Sequence, residues 1–330
     1  MFDLVHRFEL DWIVALQGDG TLKGLMIQCS YLGSEVFAYV LPLVYFCLSR
    51  KAGLRLYLLY SVSGPLLDIF KLAFHAPRPY WVDSRVKELS GSGGYGMPSG
   101  HVQSAAVVWP FVAKTLGKPW TWVMAIVCVL LVSVSRVYLG VHFITDVVGA
   151  WVIGAGLIWG FDRIEWRLTN WLSSFRVGQR MAAAVWAAAT LLCAAMGVRL
   201  LLNGIPDDPE WSSYAAGARN LSGAFSSIGE FFGGACGVIL AARWARFELP
   251  KHFWKRSVTL GYAVLGGWLI KEAFRMIRSP QTEILQFVFD FSRGVVPHLW
   301  ILFLAPWIML KTRLLHAPDS HIACGVEARH

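Results

Sequence analysis

PWTWVMAIVCVLLVSVSRVYLGVHFITDVVGAWVIGAGLIWG, residues 119–160, holds two apolar runs joined by a short turn and marked by Arg136, His142 and Asp146. Each run is long enough to cross a hydrocarbon core as a helix, and neither has the polar face that a soluble helix needs. Similar runs recur outward, at 26–49, 53–74 and 102–117 on one side and at 181–202, 222–244, 257–276 and 291–311 on the other. With 119–139 and 143–161 they predict an all-α, polytopic transmembrane helix bundle of about nine spans. Composition agrees. The 330 residues are 56% hydrophobic and 15% charged, where a soluble domain carries about 25% charge. In lipid the backbone must satisfy its own hydrogen bonds, and helices do so. Residues 102–117 are short for a span, and 53–74 carry Asp68 and Lys71, deficits that a functional site would explain.

The net charge of +9 does not imply nucleic acid as a partner, because Lys and Arg punctuate the apolar runs instead of forming one basic domain. They read as topology signals. Arg50, Lys51 and Arg55, then Lys114 and Lys118, Arg163 to Arg180, Arg243 to Arg256, and Lys311 with Arg313 follow alternate spans and should share the cytoplasmic side. The loops 75–101, 203–220 and 277–290 should face the periplasm, lumen or exterior, and the tail 312–330 the cytoplasm. Residues 1–25 predict an interfacial amphipathic helix with Phe2, Leu4, Val5, Phe8 and Trp12 on one face. They carry no cleavable signal pattern. The basic connection 162–180 separates a catalytic core, 26–161, from the later spans of 181–311. The six cysteines, Cys324 included, have no metal-ligand or disulfide spacing.

Three short segments bring polar groups to the outer ends of spans. KLAFHAPRP places Lys71 and Arg78 seven residues apart, about two turns on a continuous helix, before Pro77 and Pro79 end it. MPSGH puts Pro98, Ser99, Gly100 and His101 at the start of the third span. SRVYLGVHFITD sets Arg136, His142 and Asp146 around a turn, with the carboxylate one helical turn beyond the imidazole. Charge within a span is costly and points to function. Lys71, Arg78 and Arg136 can neutralise a phosphate, with guanidinium forks matching its oxygens. Ser99 and the amides of Gly100 and His101 add donors at a helix N-terminus. Asp146 can orient His142 for in-line attack on phosphorus, and His101 can protonate the leaving oxygen.

The ordered pattern K-x6-RP, PSGH and SR-x5-H-x3-D closely resembles the type 2 phosphatidic acid phosphatase superfamily over about residues 30–160. The resemblance implies a phosphohydrolase that needs neither metal nor other cofactor. In it His142 becomes a transient phosphohistidine, His101 acts as general acid and then activates water, and Lys71, Arg78, Ser99, Gly100 and Arg136 hold the phosphoryl group.

Lone readings of these residues are blander: Lys71 and Arg78 as snorkelling ends of a span, His142 and Asp146 as a packed pair. Asp68 reads as a counter-charge to Lys71, and His75 as incidental. His298, His316, His321 and His330 read as anchors or solvated groups. The rim 80–97 should shape what enters, through Tyr80, Trp81 and Tyr95 at headgroup level and Arg85 and Lys87 for an anionic group. Its run from Gly91 to Gly96 reads as flexible. A phosphorylated lipid is the first substrate expected: phosphatidate, phosphatidylglycerol phosphate or polyprenyl phosphate. A soluble sugar phosphate, as in the glucose-6-phosphatase branch, is second, and a silent lipid-phosphate binder or carrier third. Residues 221–311 also echo 24–117, with SYLG facing SSIG and Lys271/Arg278 repeating the interval of Lys71/Arg78. A degenerate repeat would account for both.

Overall fold

The computed structural model describes residues 2–278, 280 and 282–318, without the side chains of 2–6 and 216. His321, His330, Cys324 and the rest of the tail from 319 lie outside the described residues. The helices in chain order begin with α1 (Phe2–Gln17), α2 (Lys23–Tyr31) and α3 (Phe37–Leu43), the last continued by a π turn over Val44–Leu48. Then come α4 (Arg50–Phe74), α5 (Pro79–Val82), α6 (Gly100–Leu116), α7 (Pro119–Tyr138), α8 (Ile144–Ser173) and α9 (Val177–Leu202). The last five are α10 (Ser212–Ala218), α11 (Ser222–Trp244), α12 (Phe253–Met276), α13 (Glu283–Leu299) and α14 (Ala305–Lys311), with a π turn, Trp300–Leu304, between the final two. No strand forms among the described residues beyond an isolated bridge between Glu248 and His316.

Among the described residues, six helical segments are long and apolar enough to cross a membrane: Arg50–Val82, Pro119–Tyr138, Ile144–Ser173, Val177–Leu202, Ser222–Trp244 and Glu283–Lys311. The other three expected spans are also helical but fall short of that measure. Residues 26–49 break into α2 and α3 around Gly33, where a Cβ would fall 2.6 Å from the His101 carbonyl oxygen and 2.8 Å from Val132. Helix α6 has only 17 residues, and it buries Val102, Gln103, Ala105, Val107 and Val108 against protein, so lipid does not set its length. The basic segment expected to connect two blocks is mostly helix, since α8 runs on to Ser173 and leaves a turn of three residues before α9. Nothing in 162–173 stops it: the stretch contains no Pro and no Gly.

The chain divides into two compact units. The first comprises Met1–Phe37, Val62–Thr169 and Ala189–Ala224 and contains all three polar motifs. Its centre is α7, which buries Thr121, Ala125, Cys128, Val132 and Ser135 at alternating steps of four and three. Small residues on that stripe let neighbouring backbones approach closely. The opposite face exposes Val123, Ile126, Val127, Leu130 and Val134, as lipid contact requires. Buried Gln103 of α6 donates to the Ser63 carbonyl and hydroxyl of α4 at 3.1 and 2.9 Å.

Helix α1 is half committed to this unit. Leu10 and Ile13 are buried, Glu9 accepts from the Thr145 amide at 3.0 Å, and Gln17 donates to the Lys87 and Tyr138 carbonyls. Phe8, Trp12 and Leu16, spaced one turn apart, stay exposed. The second unit, Ala38–Ser61, Asn170–Ala188 and Phe225–His330, packs α11 on α13 through glycine. A Cβ at Gly229 would collide with the Phe291 carbonyl, and one at Gly233 with that of Val295.

Candidate active site

The first motif does not stay on one helix. Helix α4 ends at Phe74, His75 turns left-handed at φ +48°, and the prolines at 77 and 79 push the residues before them, Ala76 and Arg78, out of the helical region. Lys71 therefore lies on the last turn of α4 while Arg78 precedes α5. The second motif makes Ser99 the N-cap of α6, with Gly100 and His101 opening the helix. In the third, Arg136 ends α7, His142 occupies the turn and Asp146 lies in the first turn of α8.

These pieces converge. His142 Nδ1 is 3.4 Å from Asp146 Oδ2, which also accepts the Phe143 amide at 2.9 Å. The opposite ring nitrogen, Nε2, lies 3.5 Å from Arg78 Nη1. The Ser99 amide donates to the Asp146 carbonyl at 3.2 Å, so the second motif is pinned to the third. Gly96 lies where a Cβ would meet the Pro77 carbonyl at 2.5 Å and Asp146 Oδ2 at 3.1 Å. Arg78, Ser99, Arg136, His142 and Asp146 are all buried. Burial, and after it the charges of Arg78, Arg136 and Lys71, hold the His142 imidazole well below its usual range, so it stays neutral with a lone pair available.

Both arginines grip the glycine-rich rim that was expected to be flexible. Arg78 donates to the carbonyls of Gly93 (2.7 Å), Gly94 (2.8 Å), Tyr95 (3.3 Å) and Val141 (2.8 Å). Arg136 donates to the hydroxyls of Ser30 and Ser92, each at 2.9 Å. The rim is therefore a fixed wall, and its oxygens stand at guanidinium positions suited to phosphate oxygens. Two buried donors in the same region, Ser99 Oγ and Arg136 Nε, have no partner among the described residues. Buried polar atoms are otherwise almost always satisfied, so this pair fits an anion-binding site.

The remaining rim residues separate into two groups. Tyr80, Trp81 and Tyr95 join an aromatic cluster in which Trp81 stacks on Tyr214 at 5.9 Å. Arg85 pairs with Asp83 and Asp11, while Lys87 donates to the Gly18 carbonyl, so these two cations turn toward α1. Sequence reasoning missed four partners: Glu9 beneath Asp146's neighbour Thr145, Ser30 and Ser92 on Arg136, and Asp207 on His75. A buried acid inside an otherwise amphipathic α1 was the one available signal for Glu9. Serines and a loop acid carry none. Among the described residues, no group of three or more His, Cys, Asp or Glu side chains converges as a metal site.

Residues 52–170 match the PAP2 superfamily, and residues 225–318 match the family described as "PAP2 superfamily phosphatase, transmembrane extension". An "Undecaprenyl-diphosphatase" of Sulfolobus acidocaldarius is 32% identical over 161 residues, 48% of this chain and 77% of its own. A "Phosphatidylglycerophosphatase B" of Bacillus subtilis is 31% identical and covers 43% of this chain and 75% of its own. A "Glucose-6-phosphatase catalytic subunit 1" of Haplochromis nubilus is 23% identical over 94% of this chain and 97% of its own.

Proposed function

The chain belongs to the PAP2 superfamily of membrane phosphatases, and on that premise we propose that it hydrolyses a phosphate ester through a covalent phosphohistidine on His142. The observation that carries the reading is the placement of the imidazole, one nitrogen facing the Asp146 carboxylate and the other beside Arg78. Asp146 accepts the Nδ1 proton and leaves Nε2 as the nucleophile. Attack forms the N–P bond and breaks the P–O bond as His101 gives its proton to the leaving oxygen. Water then attacks phosphorus, loses its proton to His101 and frees Nε2 with release of orthophosphate. Lys71, Arg78, Arg136, Ser99 and the Gly100 amide hold the transferring group. A phosphate that enters offers the guanidinium donors charged oxygens where the rim offers neutral ones, in a geometry that a planar fork can match bidentately. The same charge-neutralising work needs no metal.

A lipid phosphate facing the outer leaflet is the first substrate, in keeping with the two core relatives of 31–32% identity, whose names refer to undecaprenyl diphosphate and phosphatidylglycerophosphate. A soluble sugar phosphate is the second reading. It is favoured by one observation: the likeness to a glucose-6-phosphatase runs through 94% of the chain, second unit included. The basic ends of the spans support a site on the non-cytoplasmic side with the C-terminus inside. In detergent, without added metal, His142→Ala is expected to abolish phosphate release from a panel of phosphatidate, polyprenyl diphosphate and hexose phosphates. Full activity of that variant, or loss of wild-type activity with EDTA, overturns the mechanism; binding of panel phosphates without turnover by the wild type leaves only the silent-binder reading.

A further inference from the structure

The loop between α9 and α11 lies beyond the three motifs, yet its side chains reach the first of them within the same unit. Asp207 takes Arg219 Nη2 on one carboxylate oxygen at 2.7 Å and His75 Nε2 on the other at 2.5 Å. The Tyr95 hydroxyl donates to the same Asp207 oxygen at 3.4 Å. Burial opposes the charge of Asp207, but hydrogen bonds from Arg219 and His75 outweigh it and hold the carboxyl below its usual range. Trp211 of the loop packs against His75 and Trp81, with ring centres 5.6 and 5.8 Å apart.

Arg219 closes the loop behind this contact. It donates to the Leu202 and Ile205 carbonyls at 2.9 and 2.8 Å, so Asp207 is held on a short, tied base. Ahead of it are two residues of the catalytic wall. His75 adopts φ +48°, a left-handed conformation that a residue with a side chain keeps only when its surroundings fix it. It lies between Lys71 and Arg78 in the chain. Tyr95 is fully buried, meets the His75 ring edge-on at 4.6 Å, and accepts Arg78 Nη2 at its carbonyl. The path from Asp207 to the guanidinium beside His142 therefore passes through one residue, Tyr95.

We propose that Asp207 and Arg219 are positioning residues for phosphoryl transfer: by clamping His75 and Tyr95 they fix the rim carbonyls that orient Arg78. This rests on the phosphatase reading above. A displaced Arg78 would reach both the substrate phosphate and the orthophosphate product poorly. Misplacement of a catalytic group by about 1 Å can cost on the order of 100-fold.

The test uses the full chain in detergent, with p-nitrophenyl phosphate and the best panel substrate, and orthophosphate as product inhibitor. Asp207→Asn is expected to lower kcat/KM by about tenfold to 100-fold and to weaken orthophosphate inhibition by a similar factor, with helix content unchanged. Asp207→Glu recovers most of both, and Asp208→Asn, at the exposed neighbour, changes neither. Wild-type kcat/KM and orthophosphate inhibition in Asp207→Asn overturn the proposal, as does a loss that only tracks the unfolded fraction. If Asp207→Asn does not fold, Tyr95→Phe removes the hydroxyl contact alone, and the same two readings decide. A wild-type chain that releases no phosphate from any substrate sinks the phosphatase reading, and this inference with it.

Discussion

Arg78→Lys keeps the charge and removes the fork, so it separates electrostatic attraction from positioning. The guanidinium serves four carbonyls at 2.7–3.3 Å, three on the rim and one, Val141, on the turn that carries His142. An ammonium has its three donors on one atom and cannot span both sides. At least two charge-assisted bonds are lost, each contributing about 1.5–3 kcal/mol, or about 3–6 kcal/mol in all. Relaxation of the rim and entry of water return part of this. The share felt in the transition state should resemble removal of one preorganised donor, about 3–4 kcal/mol or 100- to 1,000-fold in kcat. KM should move by less than about threefold, since the retained charge still attracts phosphate. The assay is phosphate release by purified protein in detergent, with far-ultraviolet circular dichroism to confirm helix content. A folded Arg78→Lys protein with kcat within about threefold of wild type would refute the reasoning, because charge alone would then suffice.

Two further perturbations probe the supports of the site. Gly96→Ala forces a Cβ to within 2.5 Å of the Pro77 carbonyl and 3.1 Å of Asp146 Oδ2. It should destabilise the protein by about 1–3 kcal/mol and lower kcat by about tenfold or more, while Gly91→Ala, in open space, is neutral. Equal activity of the two variants counts against the close approach. Glu9→Gln tests the attachment of α1. Burial raises the Glu9 carboxyl above its ordinary 4.5, against hydrogen bonds from Thr145 that lower it. The folded state thus holds this proton more tightly than the unfolded one, and the resulting stability is present below about 4.5 and lost as pH rises through the folded value. Glutamine keeps both contacts to Thr145 and cannot titrate, so its thermal midpoint should lack that decline. Parallel midpoint–pH curves for the two proteins would show that Glu9 is not buried as described.

The candidate site was legible because its residue types fall at short spacings: two arginines, two histidines, an aspartate and a serine in three ordered segments. Hydropathy alone could locate the spans but not their interruptions. The break around Gly33 coincides with a close approach to the His101 carbonyl, 68 residues away in sequence, that leaves no room for a Cβ. The length of α6 was misleading for a related reason, since a helix packed in protein need not be long enough for lipid. The clamp on His75 was illegible because Asp207 sits in an acidic loop, PDDPE, whose composition reads as solvated surface. Only the fold brings it to Tyr95.

One relation seen in the sequence does have a packing counterpart. The glycine of SYLG, Gly33, abuts a carbonyl of α6, and the glycine aligned with it in SSIG, Gly229, abuts a carbonyl of α13. Gly33 lies at the break in the first expected span and Gly229 within α11, and each meets the backbone of the third span of its own segment within its own unit, which is what a repeat of 24–117 in 221–311 requires. Composition alone would not enforce it, because Gly24, Gly156 and Gly261, also in helices, have nothing within 4 Å. The repeat remains a proposal, and failure of α11 to α13 to superpose on α2 to α6 would end it. If it holds, residues 221–311 kept a packing glycine while lacking the Ser-Gly-His of the second motif. Selection on that half then acted on helix contact and not on phosphate chemistry.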